Sequence, residues 1–516
     1  MWDKKTDISI HPLAVGAEAT SSVVRTGQYK ALRMTQEPLS LDEVFNESIE
    51  RADTAFVLLY RPEVILDPGL FAALPEIIEE LNQLYPNWGA CGATGVRWDG
   101  TKTYWYVRRQ PLSPEPSLCS RAVISIGSEV LLLNIKQLRS FGCRINQRVD
   151  NWFEIGPLLA LECLKNERVV VVDSRLMVVD VGDEPAIESS EALKKAVQEN
   201  FINHVVSTPY GSVEIPGVDF QRYLALPTLE HGKKDLMACF DAALERAHQG
   251  CQVSVTIACR SQLNRPYLLE RALLSFAAAQ EMCPPWLSLE VAVLSDRDSA
   301  DLVSVTTGFQ AKFPGIVIKG VPVKSRSRET SRIDHLIEAV RQLNSDYIWF
   351  IDDDDFVMPG ALKSLARTLV PNSPLLLIGT SEVLDEQWKD ERLDRFQMLA
   401  KFPSSRVFEV FKGENYVPIC SMLIPTKLAR ERCAGVEARG EYLEDYFLLL
   451  RLLTAPKIEV ETVPSVIAGI SLRGSENTVR QPKQRAWSSS YGQFVGEILR
   501  SDDSANPLLW QLARGK

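Results

Sequence analysis

Short apolar runs alternate with amphipathic stretches along most of the chain. The run Tyr347 to Ile351 is apolar at every position and has Asp on both sides, which predicts a buried strand rather than a helix. Upstream, QVSVTIACR and SLEVAVLSD read as strands, with the helix RPYLLERALLSFAAAQ between them, giving a β-α-β opening. HLIEAVRQL reads as a helix leading into the Tyr347 strand. Pro359-Gly360 then turns the chain into the helix that starts at ALKSL. LLLIGTSEV, MLIPTKLARERCAG, YLEDYFLLLRLL and KIEVETVPSVIAGI continue as strand, strand-helix, helix and β-rich segment.

The first half repeats this order. NESIERA is followed by DTAFVLLYRPEVILDPGLFAAL, in which Pro68-Gly69 aligns with Pro359-Gly360 without a gap. GACGATGV, VLLLNIKQLRSFG, RVDNWFEIGPLLALECL and ERVVVVDSRLMVVD then follow in the same sequence of types. Repeated supersecondary order predicts two related α/β halves. Too few residues precede Asn46 for a full β-α-β opening, so the first half is expected to lack one. The expected boundaries are a shortened unit at 1–190, a Pro/Gly-rich linker with the connecting helix LMACFDAALERAHQG at 191–250, a complete unit at 251–480, and a helical tail bearing PLLWQLARGK at 481–516.

Composition narrows the function. The 516 residues carry 57 Lys and Arg against 67 Asp and Glu, a net charge of −10, which argues against a nucleic-acid partner. No apolar run reaches the roughly 18 residues of a membrane span, and the N-terminus is too polar for a secretory signal. A cytoplasmic protein is expected, with peripheral contact at the inner face of the membrane through the apolar tail as the alternative placement. The ten cysteines show no CxxC or Cys/His cluster, and the five histidines are unpaired. Reduced thiols are expected, and a metal would sit on carboxylates.

Asp352, Asp353, Asp354 and Asp355 follow the Tyr347 strand directly. Consecutive carboxylates at the end of a buried strand repel one another and are costly to desolvate, and a cation removes that cost. Strand ends are also where open α/β sheets bind ligands. The plain alternative is a solvated acidic loop or helix cap.

Strand, DxDD, short loop, Pro-Gly and helix in this order resemble the inverting family 2 glycosyltransferases of GT-A fold. The resemblance covers about residues 250–475. NRPYLLERAL, VAVLSDRDSAD, Ser331-Arg332 and the Glu444-Asp445 pair in YLEDYFLLLRLL match further family segments. It implies an α/β, Rossmann-like nucleotide-sugar transferase domain preceded by a shortened GT-A-like one. It implies that Asp354 and Asp352 hold a Mg²⁺ or Mn²⁺ ion beside the donor diphosphate and ribose. Asp353 and Asp355 would line the donor site, with Asp355 toward the sugar or acceptor. Asp296 would meet the nucleobase, and Arg332 the base or diphosphate. Arg473 would close over the diphosphate. Asp445 would be the general base, with Glu444 beside it. The implied partners are a nucleotide-sugar donor, a UDP-sugar foremost, and a glycan or lipid-linked glycan acceptor of surface polysaccharide biosynthesis.

In the first half Arg61 aligns with Asp352, Glu63 with Asp354, and Asp150-Asn151 with Glu444-Asp445. An Arg repels a cation and an Asn is no base, so this half reads as a degenerate copy. The stretch WDGTKTYWYVRR (Trp98–Arg109) reads as a hairpin with one buried face or a sugar-stacking surface. Two other readings stand beside the transferase. A sugar-nucleotide nucleotidyltransferase would need a Gly-rich, basic loop where ACRSQLNRP stands. A non-catalytic glycan-binding scaffold of two transferase-like halves would not need the intact Asp352, Asp354 and Asp445.

Overall fold

Ile348, Trp349, Phe350 and Ile351 are fully buried, because the strand they form is covered on both faces as in the middle of an α/β sheet. The computed structural model of the chain describes residues 8–12, 30–31, 40–61, 64–66, 68–100, 102–104, 120–176, 178–179, 190–201, 205–214, 234–326, 331–369, 375–389, 391–412, 415–433, 443–455 and 458–473. The chain divides into two compact units, Met1–Gln249 and Gly250–Lys516.

In the N-terminal unit the main strands are β1 (Ile8–Pro12), β2 (Lys30–Ala31), β3 (Phe56–Tyr60), β4 (Ala90–Gly92), β5 (Ser120–Val123), β6 (Val130–Asn134) and β7 (Val170–Asp173). They form one sheet in the order β2-β1-β3-β6-β4-β7-β5. Helices α1 (Leu41–Arg51), α2 (Pro68–Leu84), α3 (Ile155–Lys165) and α4 (Leu236–Ala247) belong to this unit.

The C-terminal unit has β8 (Val253–Arg260), β9 (Leu287–Ser295), β10 (Val317–Pro322), β11 (Tyr347–Asp352), β12 (Phe356–Val357), β13 (Leu375–Lys389), β14 (Arg392–Phe402), β15 (Met422–Pro425) and β16 (Glu459–Leu472). The order is β10-β9-β8-β11-β15-β13-β16-β12, with β14 paired to β13 as a long hairpin. Helices α5 (Pro266–Glu281), α6 (Ser331–Gln342), α7 (Ala361–Ala366) and α8 (Glu444–Leu453) complete it. One core cluster gathers Ala258 of β8, Leu294 of β9, Phe350 of β11, Ile378 of β13, Ile424 of β15 and Phe447 of α8. The buried Trp349 indole donates to the Cys420 carbonyl at 2.7 Å, so its polar atom is satisfied inside the core.

The two sheets share six strands in the same order and sense. β2-β1-β3-β6-β4-β7 corresponds to β9-β8-β11-β15-β13-β16. In both, the first three strands are parallel, the fourth is antiparallel to both its neighbours, and the sixth is parallel to the fifth. Phe56, Val57 and Leu58 face Asn134, Leu133 and Leu132, while Tyr347, Ile348 and Trp349 face Pro425, Ile424 and Leu423. The shift that brings Pro68 onto Pro359 brings both strands of this pair into register.

The expected lack of an opening in the first half is corrected here. β1 lies parallel to β3 where β8 lies beside β11, and the two-residue β2 lies parallel to β1. ISIHP alternates over only four residues before Pro12 and β2 has two residues, too short a run for periodicity to expose either strand.

The segment 191–250 is structured where it is described. Ser190 caps the helix Glu191–Asn200 by accepting from the Leu193 amide. Val205–Thr208 and Gly211–Glu214 form a hairpin, and Asp235 caps α4 through the Met237 and Ala238 amides. Lys102–Tyr104, within the aromatic stretch, is a strand beside Thr94–Val96. Trp105 to Arg109 and the tail at 481–516 lie outside the described residues. The nine described cysteines are free thiols.

The first turn of α3 packs directly on backbone. A Cβ at Gly156 would stand 2.5 Å from the Gly127 carbonyl oxygen and 2.6 Å from that of Ile126, and neither can rotate away. Gly156→Ala is therefore expected to cost about 1–3 kcal/mol through overpacking, measured by urea unfolding followed by circular dichroism. An unchanged midpoint would show that α3 shifts freely.

Candidate active site

Parallel pairing places Arg260, the last residue of β8, directly beside Asp352, the last of β11. The amide of Asp353 donates to the Arg260 carbonyl at 3.0 Å, and that of Asp355 to the Asp352 carbonyl at 3.0 Å. These bonds fold the four aspartates into a turn. β12 then leaves the turn and pairs with Ala468 and Gly469 of β16.

Each aspartate meets a different partner. Asp352 accepts from Arg260 through both oxygens, Nε to Oδ1 at 2.6 Å and Nη2 to Oδ2 at 2.9 Å. Asp353 turns away, accepting from Ser261 Oγ at 2.7 Å and Arg265 Nη2 at 2.9 Å. Asp354 Oδ2 faces Arg265 Nη1 at 3.4 Å and Arg473 Nη2. Asp355 Oδ1 accepts the Ser471 amide at 3.1 Å. Arg271 braces the turn from below, donating to the Asp354 carbonyl and to both oxygens of Glu386.

The same turn faces the head of α8. Glu444 Oε1 accepts from Arg260 Nη1 at 2.9 Å and from Arg332 Nη1 at 3.3 Å. Asp445 accepts the Tyr446 amide at 2.7 Å and Asn415 Nδ2 at 3.0 Å. Asp296 lies exposed past the end of β9, accepting from Ser325 Oγ at 3.3 Å. The structure thus brings Asp352 to Asp355, Glu444, Arg332 and Arg473 into one contact network. It leaves Asp296 at the rim, on the strand beyond β8. Of the arginines before β11, Arg326 binds Asp334 at 2.7 Å, and Arg328 is outside the described residues.

These contacts separate the acids by protonation. Burial opposes ionisation of Asp352, but Arg260 outweighs it and holds the carboxyl below its ordinary range. Burial likewise opposes Glu444, and the Arg332 and Arg260 charges hold it low. Burial, then the Asp354 charge, pushes Asp353 up to about 6. Burial with the charges of Asp354 and Asp352 raises Asp355 well above the carboxylate range. Burial, then the Glu444 charge, pushes Asp445 up to about 6.

Oxygens of Asp352, Asp354 and Asp355 all lie within 4.8 Å of one another. Mg²⁺ and Mn²⁺ take such hard oxygen donors. The raised Asp355 carboxyl carries the like-charge penalty that a cation relieves. The residues present therefore fit a divalent ion.

In the N-terminal unit Arg61 directly follows β3, at the position that matches Asp352 at the end of β11. It is 3% exposed, and its guanidinium lies 4.1 Å from the centre of the Trp152 ring. Its amide donates to the Glu129 carbonyl at 2.9 Å, and the Glu129 carboxylate accepts from Thr94 and Tyr210. Glu63 is outside the described residues. Asp150 pairs with Arg148 ahead of the short helical turn Trp152–Glu154. Measured by helix starts, Ile155 and Gly156 stand at the Glu444-Asp445 position rather than Asp150-Asn151, because that extra turn precedes α3.

No local motif marks Arg260, Arg265, Ser261 or Asn415 as site residues. Each reaches the site by pairing across the fold, and the strand-end position of Arg260 is the one sequence signal among them.

A parallel sheet whose central strand ends in consecutive aspartates, with an antiparallel strand beyond it and an acid-headed helix at the same edge, is the GT-A arrangement of nucleotide-sugar transferases. Residues 250–414 match the family described as glycosyltransferase like family 2, and the C-terminal unit carries a domain of that family. No curated protein matches the chain. Among solved structures, the chain is similar to S. aureus TarS 1–349, at 14% identity over 51% of this chain and 70% of that one, with a TM-score of 0.33. The TarS 1–349 complex with UDP-GlcNAc gives 13% identity, 49% and 67% coverage and a TM-score of 0.33. The mannosyltransferase PcManGT from Pyrobaculum calidifontis, with GDP-Man and Mn²⁺, gives 15%, 53% and 80%, and 0.32.

The raised Asp445 carboxyl has a consequence for stability. A carboxyl that titrates near 6 when folded and near 3.8 when unfolded binds more protons in the native state between those values. Its contribution is full below the lower value and is lost as pH rises through the higher one. Asp445→Asn should therefore gain thermal stability relative to the unchanged chain as pH is raised from about 4 to about 7. A difference in melting temperature that does not vary with pH would contradict the burial of this carboxylate.

Proposed function

We propose that the chain is a metal-dependent, inverting glycosyltransferase that moves a sugar from a nucleotide-sugar to a hydroxyl of a glycan or lipid-linked glycan. The observation that carries this reading is the convergence of Asp352, Asp354 and Asp355 at one strand end, facing the helix that begins Glu444-Asp445. The family match over residues 250–414 supports the transferase class. Asp354, with Asp352 and Asp355 in reach, would hold the cation. A bound Mg²⁺ or Mn²⁺ supplies positive charge against the departing diphosphate.

Asp445 would accept the proton of the acceptor hydroxyl as its oxygen bonds to the anomeric carbon. The bond to the donor diphosphate breaks on the opposite face, and the nucleoside diphosphate leaves with the electron pair. A carboxylate titrating near 6 is ionised at neutral pH yet basic enough for this task. Glu444, held by Arg260 and Arg332, keeps the head of α8 against the acidic turn. Arg265 and Arg473, which contact Asp354, would meet the donor phosphates. Asp296, at the rim beyond β8, would meet the base of a UDP-sugar.

The N-terminal unit would act as a non-catalytic GT-A-like copy, since Arg61 replaces the first aspartate. Among the described residues no helix is long and apolar enough to cross a membrane. The proposed location is the cytoplasm, with peripheral contact at the membrane face for a lipid-linked acceptor.

The test screens UDP-, GDP-, dTDP- and CMP-sugars for binding and turnover with Mg²⁺ or Mn²⁺. Asp354→Ala should lose metal-dependent donor binding. Asp445→Asn should keep binding and lose roughly 10²–10⁴ in turnover. In the unchanged chain the acid limb of kcat should rise with pH through about 6. Turnover unaltered in both variants would refute the assignment.

A further inference from the structure

One arginine lies between the acidic turn and the head of α8 and contacts both. We propose that Arg260 is a positioning residue that commits Asp352 to α8 and leaves Asp354 and Asp355 to hold the cation. This rests on the transferase reading above and divides its acidic turn into two parts.

Arg260 is 9% exposed and ends a central strand, so it has little freedom to leave. Its position is set twice by backbone, through the register with Asp352 and through the Asp353 amide on its carbonyl. All three of its nitrogens are used. Nε and Nη2 form a two-pronged bond to Asp352, and Nη1 reaches Glu444 at 2.9 Å. Such paired, charge-assisted bonds fix direction as well as distance. A guanidinium on both oxygens of a carboxylate also repels a second cation from those oxygens.

The other two acids are engaged on one oxygen rather than both. Among the described residues, both arginines that reach Asp354 meet its Oδ2, and Asp355 receives the Ser471 amide on Oδ1. Asp354 Oδ1 and Asp355 Oδ2 accept no hydrogen bond among these residues, and ligand oxygens of the two acids lie within 4.8 Å of each other. Asp352 thus serves as the anchor of a chain that runs Asp352–Arg260–Glu444 and ends one residue from Asp445. Loss of Arg260 would free Asp352 for a cation and loosen the head of α8 at once. Metal affinity and turnover should then move in opposite directions, an outcome that general damage to the fold does not produce.

The experiment titrates the full-length protein with MnCl₂ alone, read by calorimetry and Mn²⁺ spin resonance, and follows donor kinetics in the same preparations. Asp354→Asn should lose about 100-fold or more in Mn²⁺ affinity, whereas Asp352→Asn should stay within about threefold. Arg260→Gln should bind Mn²⁺ roughly tenfold more tightly, and the double variant Arg260→Gln/Asp352→Asn should return to the original affinity. With a donor that is turned over, Arg260→Gln should lower kcat more than it raises donor KM, and Arg260→Lys should recover part of kcat. If Asp352→Asn loses Mn²⁺ as severely as Asp354→Asn, or Arg260→Gln binds it more weakly while remaining folded, the division is wrong even where donor turnover upholds the transferase. Absence of Mn²⁺ binding to the unchanged protein overturns it as well. The Mn²⁺ pattern without turnover of any donor would uphold Arg260 and remove the transferase reading.

Discussion

Carboxylates crowded at the end of a buried strand cannot all stay charged in one environment, and the surrounding arginines decide which do. β11 is enclosed on both faces, so its terminal residues have no room to spread apart. Arg260, Arg265 and Arg473 approach the turn from different strands and loops, Arg260 at Asp352, Arg265 at Asp353 and Asp354, and Arg473 at Asp354. Neighbouring residues of one type thereby acquire different properties. Asp352 is held ionised, while burial and neighbouring carboxylates push Asp353 and Asp355 toward the neutral acid.

What could be read from the chain and what could not follow from distance along it. The Tyr347–Ile351 strand, the aspartates after it and the helix at Glu444 are local patterns, and periodicity exposes them. The repeat was legible for the same reason, because each copy preserves the order of its local units. The bond between Arg260 and Asp352 spans 92 positions, and only the parallel register of β8 and β11 creates it. Asn415 reaches Asp445 from a loop with no motif of its own. β1 and β2, strands of five and two residues, carry too few alternations for periodicity to expose them. The displaced head of α3 follows from a short helical turn that composition does not announce.

The two sheets show how much of such a fold is independent of its chemistry. Six strands keep their order, sense and central register, although the residue at the mouth of the middle strand is Arg61 in one unit and Asp352 in the other. Packing of apolar positions such as Leu58 and Trp349 specifies the sheet, and strand-end residues can change without disturbing it. Function in this architecture resides in a few positions at one edge.

The Trp152 ring over Arg61 constrains any exchange at this position. A carboxylate at position 61 would set an anion against the negative face of that ring where a guanidinium now lies 4.1 Å from its centre. A position that is 3% exposed beneath an aromatic face therefore favours the arginine and penalises an acid, so the ring acts as a filter on the charge this strand end can carry.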